Sequence, residues 1–349
     1  MLARTDLTTD IPASLENARV LVTGASGLLG SHLAELWTLA GASVRVILRS
    51  ERPTPFLVRL GVEYSYGDLT DPRACRVACQ GVDFVCHAAA KVGDWGQWDD
   101  FQHDTIEATR QIAVAAKVAG VRRFVQISST SAYGHPPDSH APIREDYPLG
   151  QNIWRKDPYT LAKVECERQL WGLAENGLRL TVLRPSWLYG PRDRITLARI
   201  IGKLKSGKFR LIGPGDNRIS AVDASEVARA ALLACATEAA EGEAFNITDL
   251  GEITQAEYFG MMARAIGMEP VRRTVNYRLA FAASIGMEMW GRTMHAHRPP
   301  LLTRYSTWLM GRRLWYDNTK IRETLGWKPL VDYQTSLSRA VAWYLSQAS

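Results

Sequence analysis

Tyr159 and Lys163 stand four residues apart at the start of a helical pattern that begins near Pro158, a spacing that puts both side chains on one face. A phenol with a pKa of about 10 is a poor acid–base group at neutral pH, and a neighbouring ammonium favours its phenolate and lowers that pKa. Such a pair suits proton transfer to or from a carbinol or carbonyl oxygen. Upstream, residues 123–128 read as a strand that ends in Ser128-Ser129-Thr130-Ser131. That places a cluster of hydroxyls at the carboxyl edge of a sheet, where ligands of open parallel sheets bind. Nearer the N-terminus an apolar strand at 19–23 runs into Gly24-Ala25-Ser26-Gly27-Leu28-Leu29-Gly30 and then a helix. A turn that tight needs residues without Cβ, and the helix start offers free N–H groups and a positive dipole end to a pyrophosphate. Glycines spaced this way are weak evidence alone and strong between an apolar strand and an amphipathic helix, where they predict a dinucleotide site. The next strand closes on Val46-Ile47-Leu48-Arg49-Ser50. A carboxylate there would bind an adenosine ribose, whereas an arginine accommodates a 2′-phosphate, so Arg49 favours NADP(H) over NAD(H).

Those groups need a sheet to hold them. Short β-branched runs at 19–23, 44–48, 62–66, 83–87, 123–128 and 179–184 alternate with helical spacing at 28–40, 100–119 and 158–175. Strand, helix and strand in that order predict parallel crossovers and a sheet covered on both faces, an α/β, Rossmann-type doubly wound fold. After Pro185 a helix at 195–205, another at 224–239 and a strand at 244–247 lead into a mostly helical C-terminal third. The division this implies is a dinucleotide-binding part at 15–185 with 222–250, and a smaller substrate-binding lobe at 186–221 with 251–349.

Of the 349 residues, 46% are apolar and 22% charged, which excludes a disordered or collagen-like chain. The five cysteines are scattered without ligand-spaced histidines, which fits reduced, buried thiols and argues against structural zinc; no metal site is expected. No stretch approaches a membrane-spanning run, and residues 1–18 are polar, with Asp6, Asp10 and Glu16, so neither a spanning helix nor a secretory leader is expected and the location implied is cytoplasmic. The formal charge of +6 is concentrated: residues 270–330 carry eleven basic residues against three acids, a surplus of eight, which leaves the remainder at −2. That segment also holds Trp290, Trp308, Trp315 and Trp327.

Taken in order, the glycine loop at 24–30, the Ser129 cluster and the Tyr159/Lys163 pair resemble the extended short-chain dehydrogenase/reductases, over nearly the whole chain. Gly67-Asp68-Leu69 resembles that family's adenine-edge motif, and His87-Ala88-Ala89-Ala90 its fourth-strand motif along the cofactor. Arg184-Pro185-Ser186 through Tyr189-Gly190-Pro191 resembles the segment that passes the nicotinamide, and Leu325-Gly326-Trp327-Lys328-Pro329 the C-terminal signature. The resemblance implies cofactor contacts from Gly24, Ser26, Gly27, Leu28, Leu29, Gly30, Arg49, Asp68, Leu69, Ala88, Ala89, Ala90, Lys91, Tyr159, Lys163, Pro185 and Ser186. It also implies that the hydroxyl five residues before the glycine of a Tyr-Gly pair holds the substrate oxygen. Counting from Gly134, that is Ser129, with Ser128 and Thr130 as the other choices. The mechanism so implied is hydride transfer between a nicotinamide and a carbinol or carbonyl carbon: Tyr159 moves the oxygen's proton, Lys163 poises Tyr159 and anchors the ribose, and Ser129 polarises the oxygen.

Within the family two branches compete, and a third reading is a nucleotide-sensing regulator without chemistry. Nucleotide-sugar 4-epimerases share the core. The 3β-hydroxysteroid dehydrogenase-like enzymes, acting on hydrophobic 3-hydroxy or 3-keto substrates, are favoured because residues 88–96 resemble their active-site loop, Arg49 their second-strand ending, and Arg298–Arg304 their substrate lobe. Candidate substrate contacts are Lys91, Asp94, Trp95, Ser129, Thr130, Trp187 and Arg192. Against contact, Trp95 and Trp98 suit ordinary packing equally well. Asp94 is better read as a solvated loop acid, Arg192 and Asp193 as an ion pair at the cleft rim, and His87 as a satisfied strand-end histidine. The family also implies a homodimer through the helices at 100–119 and 158–175. Nucleic acid is excluded as a partner by the absence of any binding motif for it. Two readings of the basic segment remain: a solvated face over a tryptophan core, which is favoured, or a basic, apolar surface at 279–290 and 301–315 resting on anionic membrane.

Overall fold

The computed structural model describes residues 11–347 apart from His140, Arg155, Leu250 and His297; Asp6 and Asp10, used in the leader argument, lie outside these. Val20, Leu21 and Val22 are fully buried, and a run apolar on both sides is what a strand covered on both faces requires. The strands are β1 (Arg19–Thr23), β2 (Ser43–Leu48), β3 (Glu63–Tyr66), β4 (Phe84–His87), β5 (Arg123–Ile127), β6 (Leu180–Pro185), β7 (Trp187–Tyr189), β8 (Leu211–Ile212), β9 (Ala221–Asp223), β10 (Glu243–Ile247) and β11 (Thr274–Val275). Seven of them form one sheet in the order β3-β2-β1-β4-β5-β6-β10, with every pair parallel. The order reverses between β1 and β4, and a crevice at the carboxyl ends of strands opens at such a point. The remaining strands make two short parallel pairs, β7 with β9 and β8 with β11, which the sequence reading did not anticipate.

Helices Leu28–Leu39 and Ala224–Ala236 cover one face, over a core that includes Trp37, Val46 and Phe245. Helices Pro72–Cys79, Ala108–Val118 and Pro158–Ala174 cover the other, through Cys75, Ile112 and Leu170. Cys75, Cys79, Cys86, Cys166 and Cys235 are free and buried. The helix expected at 100–119 is not continuous: Trp98–Phe101 leads into a π-helical stretch at Gln102–Glu107 before Ala108–Val118. The wider turn lets Thr105 work in two directions. Its Oγ1 accepts the Lys91 N–H at 2.9 Å, and its carbonyl accepts the Cys166 thiol at 3.7 Å.

The second core gathers Tyr189, Leu211, Ile253 and Tyr258 with helices Thr196–Lys205, Gln255–Ala265 and Tyr333–Ser346. Helices Tyr277–Thr293 and Arg304–Gly311 pack on each other beside it. The chain then returns: Ile321, Leu325, Trp327 and Val331 are buried in the same core as Trp37, beneath the sheet. Four of the eleven basic residues of the basic segment form ion pairs among the described residues, Arg304 with Glu288, Arg312 with Asp138, Arg313 with Asp216 and Lys320 with Glu243. Among its tryptophans, Trp308 and Trp327 are core and Trp290 is exposed.

Candidate active site

The glycine loop shows why two of its three glycines admit no side chain. Gly24 has φ +68°, and a Cβ there would lie 2.8 Å from the Ala89 nitrogen; a Cβ on Gly30 would lie 2.1 Å from the Gly24 carbonyl oxygen. Both obstacles are backbone. At Gly27 the nearest obstacle is the Gly24 carbonyl at 3.3 Å, and Ser26 and Gly27 face solvent. The loop is therefore an open cradle at a helix start, which suits a pyrophosphate. Its floor is tied down by Thr23, whose Oγ1 accepts the N–H groups of Ala88 at 3.2 Å and Ala89 at 3.1 Å. Thr23 also meets His87 Nδ1 at 2.7 Å, while His87 Nε2 meets Thr109 Oγ1 at 3.0 Å. Burial, and then the charge of Lys163, push His87 down to about 3, so it is neutral. It is a satisfied strand-end histidine.

Beside the cradle, Arg49 is exposed at the end of β2, with its guanidinium 3.4 Å from Asp104 and 4.0 Å from Asp68. Asp68 also accepts the Thr70 N–H and O–H. Burial opposes ionisation of Asp68, but Thr70 and Arg49 outweigh it and hold the carboxyl below its usual value. Asp68, Leu69 and Ala88–90 are half-buried along the carboxyl edge. Across the sheet, Pro185 ends β6 and Ser186 is buried, its hydroxyl without a partner among the described atoms. An open glycine cradle, a basic group at the ribose end and an unpaired buried hydroxyl at the far end together fit a nicotinamide dinucleotide.

Tyr159 and Lys163 lie in the helix Pro158–Ala174, whose N-cap Asp157 accepts the Thr160 N–H at 3.0 Å. Tyr159 is half-buried, and Lys163 is buried. The Lys163 ammonium donates to the Ile127 carbonyl at 3.1 Å and lies 6.0 Å from the centre of the Tyr159 ring. The hydroxyl cluster follows β5 directly. Ser128 is engaged: its hydroxyl donates to Glu167, which lies one turn beyond Lys163 and receives Arg184 Nη2 at 2.7 Å. Ser129 accepts the Ser131 N–H at 3.1 Å, capping the short turn Thr130–Tyr133. Thr130 is buried and lines a small cavity with Tyr316.

The substrate side departs from the sequence reading at several positions. Asp94 is not a solvated loop acid: it takes a hydrogen bond from the Thr303 hydroxyl, and burial raises its pKa. Trp95 packs on the lobe, donating Nε1–H to the Ala296 carbonyl at 2.8 Å with Arg292 4.8 Å over its ring. Trp98 is exposed. The Lys91 ammonium is held by Asp100 at 2.7 Å. Arg192 does form an ion pair, but with Glu35 at 2.7 Å; Asp193 instead accepts the N–H groups of Ile195, Thr196 and Leu197 ahead of the next helix. Neither Arg192 nor Lys91 presents an unengaged charge to the crevice. Thr130 and Trp187 share the lining of a small cavity of about 20 Å³, room for a single water, with Arg218, Leu309, Leu314 and Tyr316.

What sequence reasoning missed is an aromatic wall around Tyr159. The Tyr305 ring meets Tyr159 edge-on at 6.0 Å and Trp308 at 6.1 Å. His135 stacks on Trp154 at 3.6 Å and meets Trp308 edge-on at 5.0 Å. His135 Nε2 also lies 2.9 Å from Asp157 Oδ2, out of line for a hydrogen bond. No spacing signal joins these residues, because they come from three separate stretches of the chain. Among the described residues no group of His, Cys, Asp and Glu could hold a metal ion.

Residues 20–248 match the family described as "NAD dependent epimerase/dehydratase family". The chain is 27% identical over 331 residues to a 2-alkyl-3-oxoalkanoate reductase of Stenotrophomonas maltophilia, covering 93% of this chain and 98% of that one. It is 25% identical to a 3-beta-hydroxysteroid dehydrogenase of Mycolicibacterium neoaurum, covering 93% and 91%. Among solved structures, the UDP-glucuronic acid 4-epimerase of Bacillus cereus in complex with NAD superposes with a TM-score of 0.73 at 22% identity, covering 95% and 100%, which speaks for the fold.

Proposed function

This chain belongs to the NAD dependent epimerase/dehydratase family, and from that premise we propose that it is an NAD(P)-dependent oxidoreductase interconverting a secondary alcohol and a ketone on a hydrophobic 3-hydroxy or 3-keto substrate. The observation that carries the reading is the Tyr159/Lys163 pair set against an aromatic wall. A bound nicotinamide supplies or accepts the hydride. In the reductive direction Tyr159 gives its proton to the carbonyl oxygen, and Ser129, its own oxygen already accepting from Ser131, donates its hydroxyl hydrogen to the same atom. Lys163, fixed by the Ile127 carbonyl, holds its ammonium 6.0 Å from the centre of the Tyr159 ring, where it offsets negative charge left on the phenol oxygen. Gly24, Ser26, Gly27, Leu28, Leu29 and Gly30 hold the pyrophosphate; Asp68, Leu69, Ala88, Ala89, Ala90, Pro185 and Ser186 flank the remainder of the dinucleotide.

The preference for NADP(H) belongs to this proposal. It is supported by the exposed guanidinium of Arg49 at the end of β2, although a 2′-phosphate has to displace Asp104 and Asp68 from it. An apolar substrate is preferred to a nucleotide sugar because of the lining beside Thr130 and Trp187. Its two arginines are each paired with an acid, Arg218 with Glu252 and Arg312 with Asp138, and its other walls include Ile219, Leu309, Met310 and Leu314. A diphosphate would need unpaired cations there. The relatives named as a 2-alkyl-3-oxoalkanoate reductase and a 3-beta-hydroxysteroid dehydrogenase support the same substrate class. A two-part organisation, a homodimer through Ala108–Val118 and Pro158–Ala174, a cytoplasmic location and peripheral contact with anionic membrane complete the reading. Following reduced nicotinamide by absorbance with long-chain 3-keto and steroid substrates, beside an epimerisation assay on UDP-hexoses, tests it. Sugar interconversion without net redox would overturn it.

A further inference from the structure

The helix Tyr277–Thr293 has two unlike sides. Its buried stripe is Ala280, Ser284, Glu288 and Gly291. Glu288 accepts the Arg304 N–H at 2.6 Å and Nε–H at 2.8 Å, so this acid is turned inward and neutralised. The outward side exposes Leu279 (69%), Ile285 (39%), Met289 (64%) and Trp290 (68%), Met294 (58%) follows at the C-cap, and Leu301 (66%) is exposed further along the chain. Arg272, Arg273, Arg278 and Arg298 are exposed on the same stretch, and Glu288 is the sole acid in residues 270–316. Scattered exposed apolar residues are ordinary, but several on one side of a helix with mostly basic neighbours mark a contact surface.

The inward side of the same helix is the outer wall of the site. Arg292 lies 4.8 Å over the Trp95 ring and donates to the Lys156 carbonyl at 3.0 Å, three residues before Tyr159. Gly291 lies directly under Trp95, where a Cβ would be 3.1 Å from the ring. Phe281 meets Trp154 at 5.6 Å. One helix therefore separates the exposed face from the aromatic wall.

We propose that the outward face of Tyr277–Thr293, with Met294 and Leu301, is a docking surface for an anionic lipid bilayer, and that it delivers a lipophilic substrate past Trp95 to Tyr159. The inference rests on the reading of the site as one for an apolar substrate, and adds where that substrate comes from. A bilayer suits the face better than a second copy of the chain does. A two-fold contact sets a patch against itself, so the acid-free arginines would oppose one another, whereas an anionic leaflet attracts them and takes the apolar side chains.

The full chain is sedimented with phosphatidylcholine vesicles with and without phosphatidylglycerol, at low and high salt, beside the double variant Met289→Glu/Trp290→Glu. Binding is expected to require phosphatidylglycerol, to weaken with salt and to fall by about tenfold or more in the variant. Both proteins are expected to reduce a short soluble 3-keto ester equally, while the variant is slower on a long-chain 3-ketone presented in phosphatidylglycerol vesicles. Absence of binding, or binding unaltered in the variant, overturns the proposal. So does a wild-type dimer that the variant splits while vesicles bind neither protein. Vesicle binding by a chain that turns over no ketone would retain the docking surface and sink the oxidoreductase reading.

Discussion

Replacing Glu167 by Ala tests how the helix that carries Tyr159 and Lys163 is held. Glu167 is fully buried and Arg184 nearly so; their carboxylate and guanidinium meet at 2.7 Å, and the other carboxylate oxygen takes the Ser128 hydroxyl. Arg184 is further bound to the Tyr133 hydroxyl at 3.0 Å and the Glu145 carbonyl at 3.1 Å, and Tyr133 donates to Asn246 at 2.6 Å. Removing the acid strands a buried cation within that network, which costs about 3–5 kcal/mol. Against a total stability of about 5–15 kcal/mol, the change is large enough to read directly from the urea midpoint at unchanged slope. Replacing both partners, Glu167→Met with Arg184→Met, removes the stranded charge and is expected to cost less than Glu167→Ala alone. A loss below about 1 kcal/mol for Glu167→Ala, or a double variant weaker than the single one, would refute the argument that the pair is a buried, mutually dependent unit.

Other perturbations read other parts of the site. Tyr159→Phe is expected to lower kcat by about 100-fold or more while dinucleotide binding persists; full turnover by steady-state assay would remove Tyr159 from the mechanism. Arg49→Asp is expected to shift the ratio of KM values from NADP(H) towards NAD(H), and an unchanged ratio would dissociate Arg49 from the 2′-phosphate. Gly30→Ala is expected to lower Tm and dinucleotide affinity together, because its obstacle is the Gly24 carbonyl at 2.1 Å, whereas Gly27→Ala, with the same oxygen at 3.3 Å, is expected to lower Tm by less. Burial raises the folded-state pKa of Asp94 above its unfolded value. Its contribution to stability therefore falls as pH rises from the ordinary carboxyl range through the raised pKa, and is level above it. Asp94→Asn is accordingly expected to raise Tm relative to the wild type at neutral pH, with the difference shrinking in acid.

The parts of this site that depend on short stretches were readable in advance. The glycine loop, the Tyr159/Lys163 spacing and the alternation of strands with helices are local patterns, and each of the seven main strands appears within a residue or so of where its apolar run placed it. What escaped depends on contacts between distant residues. Asp94 is 209 residues from Thr303, and Arg192 is 157 from Glu35; nothing in the flanking residues announces either partner. The choice between Ser128 and Ser129 could not be made from the run of hydroxyls alone, and the buried carboxylate that engages Ser128 lies 39 residues away. The π-helical stretch at Gln102–Glu107 was invisible for another reason: its apolar spacing resembles that of an ordinary helix, and it is stabilised by Lys91 and Cys166 from outside.

The return of the C-terminal segment beneath the sheet has a consequence for how the chain is made. Trp327 is fully buried against the helices that cover β1, and its indole donates to the Glu226 carbonyl 101 residues earlier at 3.0 Å. Glu226 in turn accepts the N–H groups of Leu330 and Val331, and Arg229 donates to the Lys328 carbonyl. During synthesis the first strands and the glycine loop leave the ribosome long before the residues that seal their core. A nascent chain stopped ahead of Trp327 would therefore present an unsealed apolar surface to chaperones and proteases, however complete its glycine loop and its Tyr159/Lys163 pair.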